Sequence, residues 1–270
     1  MAEEFDLNDS QVVNVYDDLP MWSAMAGQVL LRHLPLDPNA KVLDVGCGTG
    51  FPTVELAQRL GPAAHVTGID RWAAALARAR RKVKVWGVGN VTFIDGDATS
   101  MPFHQNSFDL IVSNLGLNNF ADPAAAFAEC RRVLRPRGRL ALATNLQGTM
   151  SEFYALFRTV LDANVVSALD AHVAHRATIH GTFTLLKNAA FEPVRSVEET
   201  LQMRFASGTA FLQHSFIRLG FLPAWCELVA ESQRAEVFER LRAALDAHAE
   251  EYDGLELSVP MAYLEARARE

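Results

Sequence analysis

The residues best placed to do chemistry lie in the stretch VLDVGCGTG, residues 42–50, where Gly46, Gly48 and Gly50 alternate close behind Asp44. Glycines in that register let a ligand reach the backbone where a Cβ would stand in the way. Cys47 sits inside the turn, where a small side chain suffices. The amphipathic run FPTVELAQRL follows at once, and a helix start there offers free N–H groups to polar or anionic ligand atoms. A plain strand-to-helix turn needs one glycine; three in this register make a nucleotide site. Twenty residues after Gly50 comes Asp70, closing HVTGID. A carboxylate at the end of a second strand accepts hydrogen bonds from both hydroxyls of a ribose. The spacing is G-x-G-x-G, whereas dinucleotide folds carry G-x-G-x-x-G. The shorter turn lacks the geometry that sets a pyrophosphate on the helix start, which disfavours a nicotinamide dehydrogenase.

These groups need a sheet to hold them. Strand-like and helix-like segments alternate from residue 41 to about 144: KVLDVG, HVTGID, VTFIDGD, FDLIVSN and RLALAT read as strands, the last entered through a turn at RPRG. Between them RWAAALARARRKVKVWG and DPAAAFAECRRVL read as helices, the second with Asp122 as N-cap and Pro123 at its first position. That alternation implies a parallel, doubly wound α/β sheet covered on both faces. Residues 7–34 form a helical prelude broken at Leu19–Pro20, and residues 148 to about 178 are helical without a strand. After a strand at VRSVEETLQMRF, two helices are expected, SGTAFLQHSFIRLGFL and AWCELVAESQRAEVFERLRAALDAHAEEY. The last strand is LELSVPMAYLEAR, and its Pro260 favours an edge or a bulge.

Asp97, in GDATSMPF after the third strand, and Asn114, ending the fourth, extend the pattern. With VLDVGCGTG, GID, SFDLIVSNLGLNNF and ECRRVLRPRGRLALAT in order, the sequence resembles the class I S-adenosylmethionine-dependent methyltransferases. Among them it is most similar to the ubiquinone/menaquinone C-methyltransferase-like group of small-molecule enzymes. The resemblance covers residues 41–144 and implies a Rossmann-like, mostly parallel seven-stranded sheet with an antiparallel last strand and helical cap additions. It implies S-adenosyl-L-methionine as cofactor, with Asp44, Gly46, Cys47, Gly48 and Gly50 around its methionine part and Asp70 on the ribose. By the same resemblance Asp97 and Ala98 read the adenine amino group, Arg71 or Trp72 covers the adenine face, and Asn114 lines the floor near the sulfonium. As a turn residue, Asp97 has an ordinary alternative role, and Trp72 has one as a helix-start core residue. Asp95 reads as a simple turn residue. Where the group often carries a His pair, this chain has Asn118 and Asn119, which puts a metal or base role there in doubt. Asn114 is followed by Leu-Gly-Leu, not by the Pro-Pro-aromatic run of enzymes that methylate adenine or glutamine amino groups.

Composition narrows the partners. With 270 residues, half of them hydrophobic, the chain has room for a large core. We expect a single domain, 1–270, with a cofactor-binding core at 41–144, an N-terminal helical cover at 1–34 and a lid at 148–180. Residues 181–270 complete the sheet and add substrate-side helices. A net charge of −7 argues against nucleic acid as the default partner. Two basic runs support an RNA methyltransferase as an alternative: Arg78, Arg80, Arg81, Lys82, Lys84, and Arg131, Arg132, Arg135, Arg137, Arg139. No RNA-binding module accompanies them. A catalytically silent cofactor-binding protein is the other alternative. Cys47, Cys130 and Cys226 form neither a disulfide framework nor a zinc site. No metal, no membrane span and no signal peptide are expected, the location expected is cytoplasmic, and a homodimer is admitted.

Methyl transfer from a sulfonium is an in-line displacement that rewards alignment and dryness, so the lack of an obvious base does not exclude activity. The catalytic residues are unassigned; His180, His214 and Tyr16 are the candidates. His172 and His175 stand one helical turn apart without a third ligand, and His104 lies in a polar loop. Phe153, Tyr154, Phe157, Phe183, Phe205, Phe211, Phe216, Phe221 and Trp225 crowd the additions. Most belong to core, and some are expected to line a cavity for a small, apolar or aromatic methyl acceptor.

Overall fold

The computed structural model describes residues 5–18 and 20–270. Along the chain run α1 (Ser10–Asp18), α2 (Met21–His33), β1 (Lys41–Val45), α3 (Thr53–Leu60), β2 (His65–Asp70), α4 (Ala73–Trp86), β3 (Val91–Asp95), β4 (Phe108–Asn114), α5 (Pro123–Val133) and β5 (Leu134–Asn145). They are followed by α6 (Ser151–Val160), α7 (Ala163–Ala174), α8 (Ile179–Asn188), β6 (Phe191–Phe205), α9 (Gly208–Gln213), α10 (Ser215–Gly220), α11 (Leu222–Glu227), α12 (Glu231–Glu251) and β7 (Leu255–Ala268). Two compact units emerge. A sheet unit comprises Leu7–Leu146, Ala177–Glu199 and Met261–Glu270. A helical unit comprises Gln147–Arg176 and Thr200–Pro260, with the stretch ending at Asp6.

The sheet has seven strands in the order β3-β2-β1-β4-β5-β7-β6. β1 pairs in parallel with β2 and β4, β2 with β3, and β4 with β5, whereas β7 runs antiparallel to β5. The chain reverses its direction of travel across the sheet between β1 and β4. In doubly wound sheets ligands bind outside the strand C-termini at that switch point; Asp44 stands one residue before the end of β1 and Asn114 ends β4. The strands are long apolar runs because both faces are covered: Leu43, Ile111, Leu140 and Leu264 pack with Phe127 and Cys130 of α5 in one buried cluster. Asp122 caps α5, accepting from the Ala125 N–H at 2.9 Å, with Pro123 at the first helical position.

Three local expectations are corrected. The RPRG turn lies inside β5: Phe108 pairs with Leu134 but Leu110 with Arg139. The extra residues loop out through Arg137 at φ +63° and leave the strand intact on either side. β7 is not an edge strand, for it lies between β5 and β6; its pairing with β5 stops at Met261, so Pro260 owes that neighbour no N–H. The two C-terminal helices are four, because His214 is extended at ψ 131° between α9 and α10, and Pro223 sits in the first turn of α11.

In the helical unit Phe153, Tyr154, Phe157, Phe211 and Trp225 are fully buried. Phe153 stacks on Trp225 at 4.2 Å between ring centroids. The Tyr154 hydroxyl accepts from Trp225 Nε1 and from Arg176 Nη2, both at 3.0 Å. These aromatics are the unit's own core.

Candidate functional site

The glycine turn is pinned before any ligand arrives. Gly46 and Cys47 donate their N–H groups to the Ile69 carbonyl at 2.9 and 3.2 Å, and Gly50 donates to Cys47 at 2.9 Å. All three glycines lie at positive φ, +78°, +50° and +94°. Their reasons differ. A Cβ on Gly50 would come 3.0 Å from the Ala79 Cβ and 3.3 Å from Phe93, so this glycine lets α4 and β3 approach. A Cβ on Gly48 would meet nothing within 4 Å; the space beside that backbone is open, as a ligand cradle requires. Cys47 is buried, and burial drives its thiol well above the ordinary range, which makes it packing and not a nucleophile.

Asp70 faces the open side. Its Oδ2 accepts from the Gly48 N–H at 2.7 Å and its Oδ1 from the Trp72 N–H at 2.9 Å. Each oxygen keeps acceptor capacity for one more donor, which suits a vicinal diol. Trp72 donates Nε1–H to the Leu7 carbonyl at 2.7 Å, and its ring meets Tyr16 edge-on at 5.6 Å. Burial, with the charges of Asp17 and Asp70, raises the Tyr16 phenol above its usual range. Asp17 joins α1 to α4, taking Arg78 Nε and Lys82 Nζ at 2.7 Å each. Burial opposes its ionisation, but hydrogen bonds from Lys82, Arg78 and Thr49 prevail and hold its carboxyl below the usual range.

At the adenine end expected from the sequence, Asp97 Oδ1 accepts from the Thr99 N–H and hydroxyl at 2.8 Å each. Those bonds, with Arg71 3.3 Å from Oδ2, keep Asp97 ionised below the ordinary carboxylate range. Ala98 packs against the main core. Asp95 is the last residue of β3, registered with Asp70.

Two buried acceptors near the ends of β1 and β4 lack donors among the described residues. Asp44 is wholly buried; Thr53 donates its hydroxyl to Oδ2 at 2.6 Å, and Oδ1 has no partner. Burial pushes this carboxyl up to about 7, Thr53 opposing and the Asp70 charge adding to the rise. Asn114 donates Nδ2–H to the Ser23 carbonyl at 2.9 Å, which fixes its amide, and its Oδ1 is likewise buried and unpartnered. Leaving a buried acceptor unpaired costs about 1–3 kcal/mol, more when it is charged. Two such atoms at the ends of β1 and β4, an open glycine and a two-donor carboxylate fit a nucleoside cofactor that brings its own donors, one of them cationic.

Asp17, Ser23 and Thr53 carry no local sequence signal, because their roles arise from contacts across the fold. Asn118 is a latch: its Nδ2 donates to Thr144 Oγ1 at 3.0 Å and to Asn145 O at 2.9 Å, and its Oδ1 accepts from the Ala177 N–H at 3.0 Å. His180 is exposed on α8. His214, in the helical unit, lies edge-on to Phe205 with Nδ1 buried and unpartnered. His104 is exposed, and no three metal-ligating side chains come together among the described residues. The basic runs are largely spent inside the protein. Arg78 and Lys82 hold Asp17, while Arg132, Arg135, Arg137 and Arg139 pair with Glu129, Asp109, Glu270 and Glu265.

A sequence profile described as a methyltransferase domain matches residues 36–195, more than half of the chain. The chain belongs to the methyltransferase-domain family. Among curated relatives, it is 37% identical over 135 residues to the demethylmenaquinone methyltransferase of Listeria welshimeri, covering 48% of this chain and 57% of that protein. To the demethylmenaquinone methyltransferase of Geobacillus kaustophilus it is 34% identical over 128 residues, 47% of this chain and 55% of the other. The chain thus spans little more than half the length of these relatives. Among solved structures, the YcgJ protein of Bacillus subtilis superposes with a TM-score of 0.59 at 17% identity, over 92% of this chain and 99% of that one. A geranyl diphosphate methyltransferase in complex with S-adenosylmethionine gives 0.54 at 20% identity, over 91% and 84%. At such identities the likeness is one of fold. Membership of the methyltransferase-domain family accords with the cofactor expected from the sequence, S-adenosyl-L-methionine. No helix among the described residues is long and apolar enough to cross a membrane.

Proposed function

We propose that the protein is an S-adenosylmethionine-dependent methyltransferase acting on a small, apolar or aromatic acceptor. The observation that carries this reading is the clamp at Asp70. Its two oxygens are fixed by the N–H groups of Gly48 and Trp72 beside open space at Gly48. When bound, the cofactor supplies an electrophilic methyl group on a sulfonium. In this assignment Asp70 takes the ribose hydroxyls, and the unpartnered oxygen of Asp44 takes the ammonium of the methionine part. Gly46, Cys47 and Gly50 shape the turn around that part. Asp97 and Ala98 read the adenine edge, with Arg71 or Trp72 over its face, while Asn114 presents Oδ1 near the sulfonium. Tyr16, held between Trp72 and the Asp17 ion pairs, excludes water. Excluding water and fixing the approach is the protein's main contribution to such a displacement.

The relatives named for demethylmenaquinone support an apolar, ring-bearing acceptor. The ion pairs that occupy Arg78 and Lys82 of the first basic run and Arg132, Arg135, Arg137 and Arg139 of the second speak against RNA. The test is calorimetry with S-adenosylhomocysteine and NAD, followed by transfer of labelled methyl from S-adenosylmethionine to naphthols, hydroquinones and total RNA. Binding of the first ligand alone, with label on a ring compound, is the expected outcome. Failure to bind S-adenosylhomocysteine, or label on RNA only, refutes the proposal. Cofactor binding without transfer to any acceptor would leave the silent binding protein standing in its place.

A further inference from the structure

Beside α4 and the α1–α2 junction lies an open concavity of about 380 Å³. Its floor carries Asp17, Asp18, Arg78 and Lys82, and its apolar wall is Pro20, Phe51, Val85 and Trp86. Val85 and Trp86, consecutive at the end of α4, are 73% and 58% exposed, and Met21, next to Pro20, is 47% exposed. Large apolar side chains held this far into water beside one another mark a surface of contact. The charges around them do not cancel. Asp17 and Asp18 are matched by Arg78 and Lys82 at 2.7 Å. Arg81 on the rim and Lys84 one residue before Val85 are exposed and make no ion pair among the described residues. A locally basic, Trp-bearing patch therefore stands on a chain of net charge −7.

A second copy fits this patch poorly. A twofold axis through it sets the same cations against each other, and the concavity's own acids among the described residues, Asp17 and Asp18, are already paired. An anionic lipid surface is complementary in both respects. Tryptophan prefers the level of the headgroups, where its ring is buried and its N–H stays wet, and uncompensated Lys and Arg are attracted to the negative surface potential. We propose that the Val85–Trp86 end of α4 docks the protein peripherally on an anionic phospholipid bilayer. Trp86 and Val85 enter the interface, and Arg81 and Lys84 meet the lipid phosphates.

Co-sedimentation with vesicles tests this. Wild-type protein is expected to pellet with phosphatidylcholine–phosphatidylglycerol vesicles, not with phosphatidylcholine alone, and to be released by raised salt. At about fivefold per basic residue, Arg81→Gln with Lys84→Gln lowers partitioning on the order of 25-fold. Val85→Ser with Trp86→Ser removes it. Both pairs of variants are expected to bind S-adenosylhomocysteine as the wild type does, so this result is read independently of the cofactor assignment. The proposal is overturned if the wild type ignores mixed vesicles or if both variants pellet like it. A dimer that Trp86→Ser splits, or a patch that shifts RNA in place of vesicles, overturns it as well.

Discussion

Asp44 offers a quantitative handle on the site, because its carboxyl titrates at about 7 in place of 3.8. Burial at the end of β1 is the main cause, and Asp70 adds to it. A displacement of about three units is worth on the order of 4 kcal/mol in folding free energy. The folded-state value lies above the unfolded one. The neutral carboxyl's contribution is therefore whole below pH about 4 and is lost as the pH rises through about 7. Asp44→Asn keeps the shape and an acceptor for the Thr53 hydroxyl but cannot ionise. Urea denaturation is expected to show this variant gaining on the wild type between pH about 4 and about 8, by up to that amount. Cofactor changes the balance. An ammonium delivered to Oδ1 favours the ionised carboxyl, so binding at pH about 6 should release close to one proton. Calorimetry in buffers of different ionisation enthalpy reads that proton for the wild type and not for Asp44→Asn. A stability difference that stays flat with pH refutes the burial argument; equal proton release by both proteins refutes the contact with cofactor.

Asp70→Ala removes both anchors of the Gly48 and Trp72 N–H groups as well as the ribose acceptor. Charged hydrogen bonds at about 1.5–3 kcal/mol each put the loss of S-adenosylhomocysteine affinity at 100-fold or more, read by calorimetry. Gly48→Val places a side chain in the open cradle and should abolish that binding while circular dichroism shows the fold retained; normal affinity would place the ligand elsewhere. Tyr16→Ala, which removes the ring packed against Trp72, should lower turnover with a found acceptor more than it lowers cofactor affinity, because its proposed part is to shut out water.

The sheet core was legible because its signals are local. Apolar runs bounded by glycine and acid read as strands, and Asp122–Pro123 marks a helix start without help from the rest of the chain. The turn at Gly46–Gly50 was legible for the same reason, although only the structure separates Gly48, which borders open space, from Gly50, which permits packing. What escaped the sequence depends on partners far along the chain. Thr53 satisfies half of Asp44, and Ser23 fixes the Asn114 amide from α2. Gly27 lets Phe51 within 2.2 Å of where its Cβ would stand, an approach no periodicity announces. Pro260 reads as an edge or a bulge, and the edge fails because a proline limits pairing on one side only and the ladder with β5 has already ended at the Asn145–Met261 pair. The breaks around His214 and Pro223 are single-residue departures inside otherwise helical patterns, which average out in any window long enough to read a helix.

The basic run of α4 shows how composition misdirects when pairing is ignored. Five cations within seven residues look like a nucleic-acid stripe. Yet Arg78 and Lys82 enclose Asp17, and Arg80 donates to the Phe93 carbonyl at 3.0 Å. That leaves Arg81 and Lys84 without ion pairs among the described residues, beside an exposed valine and tryptophan. The same helix thus divides its charge. One part fastens α1, and with it Tyr16, beside Asp70, where losing Asp17 would leave Lys82 without its ion pair and Arg78 with Asp18 alone. The other part faces water. Because Tyr16 and Asp17 are adjacent in sequence, the ion pairs that hold the helix also help set the ring against Trp72, so weakening the grip on α1 is expected to loosen the proposed cover as well.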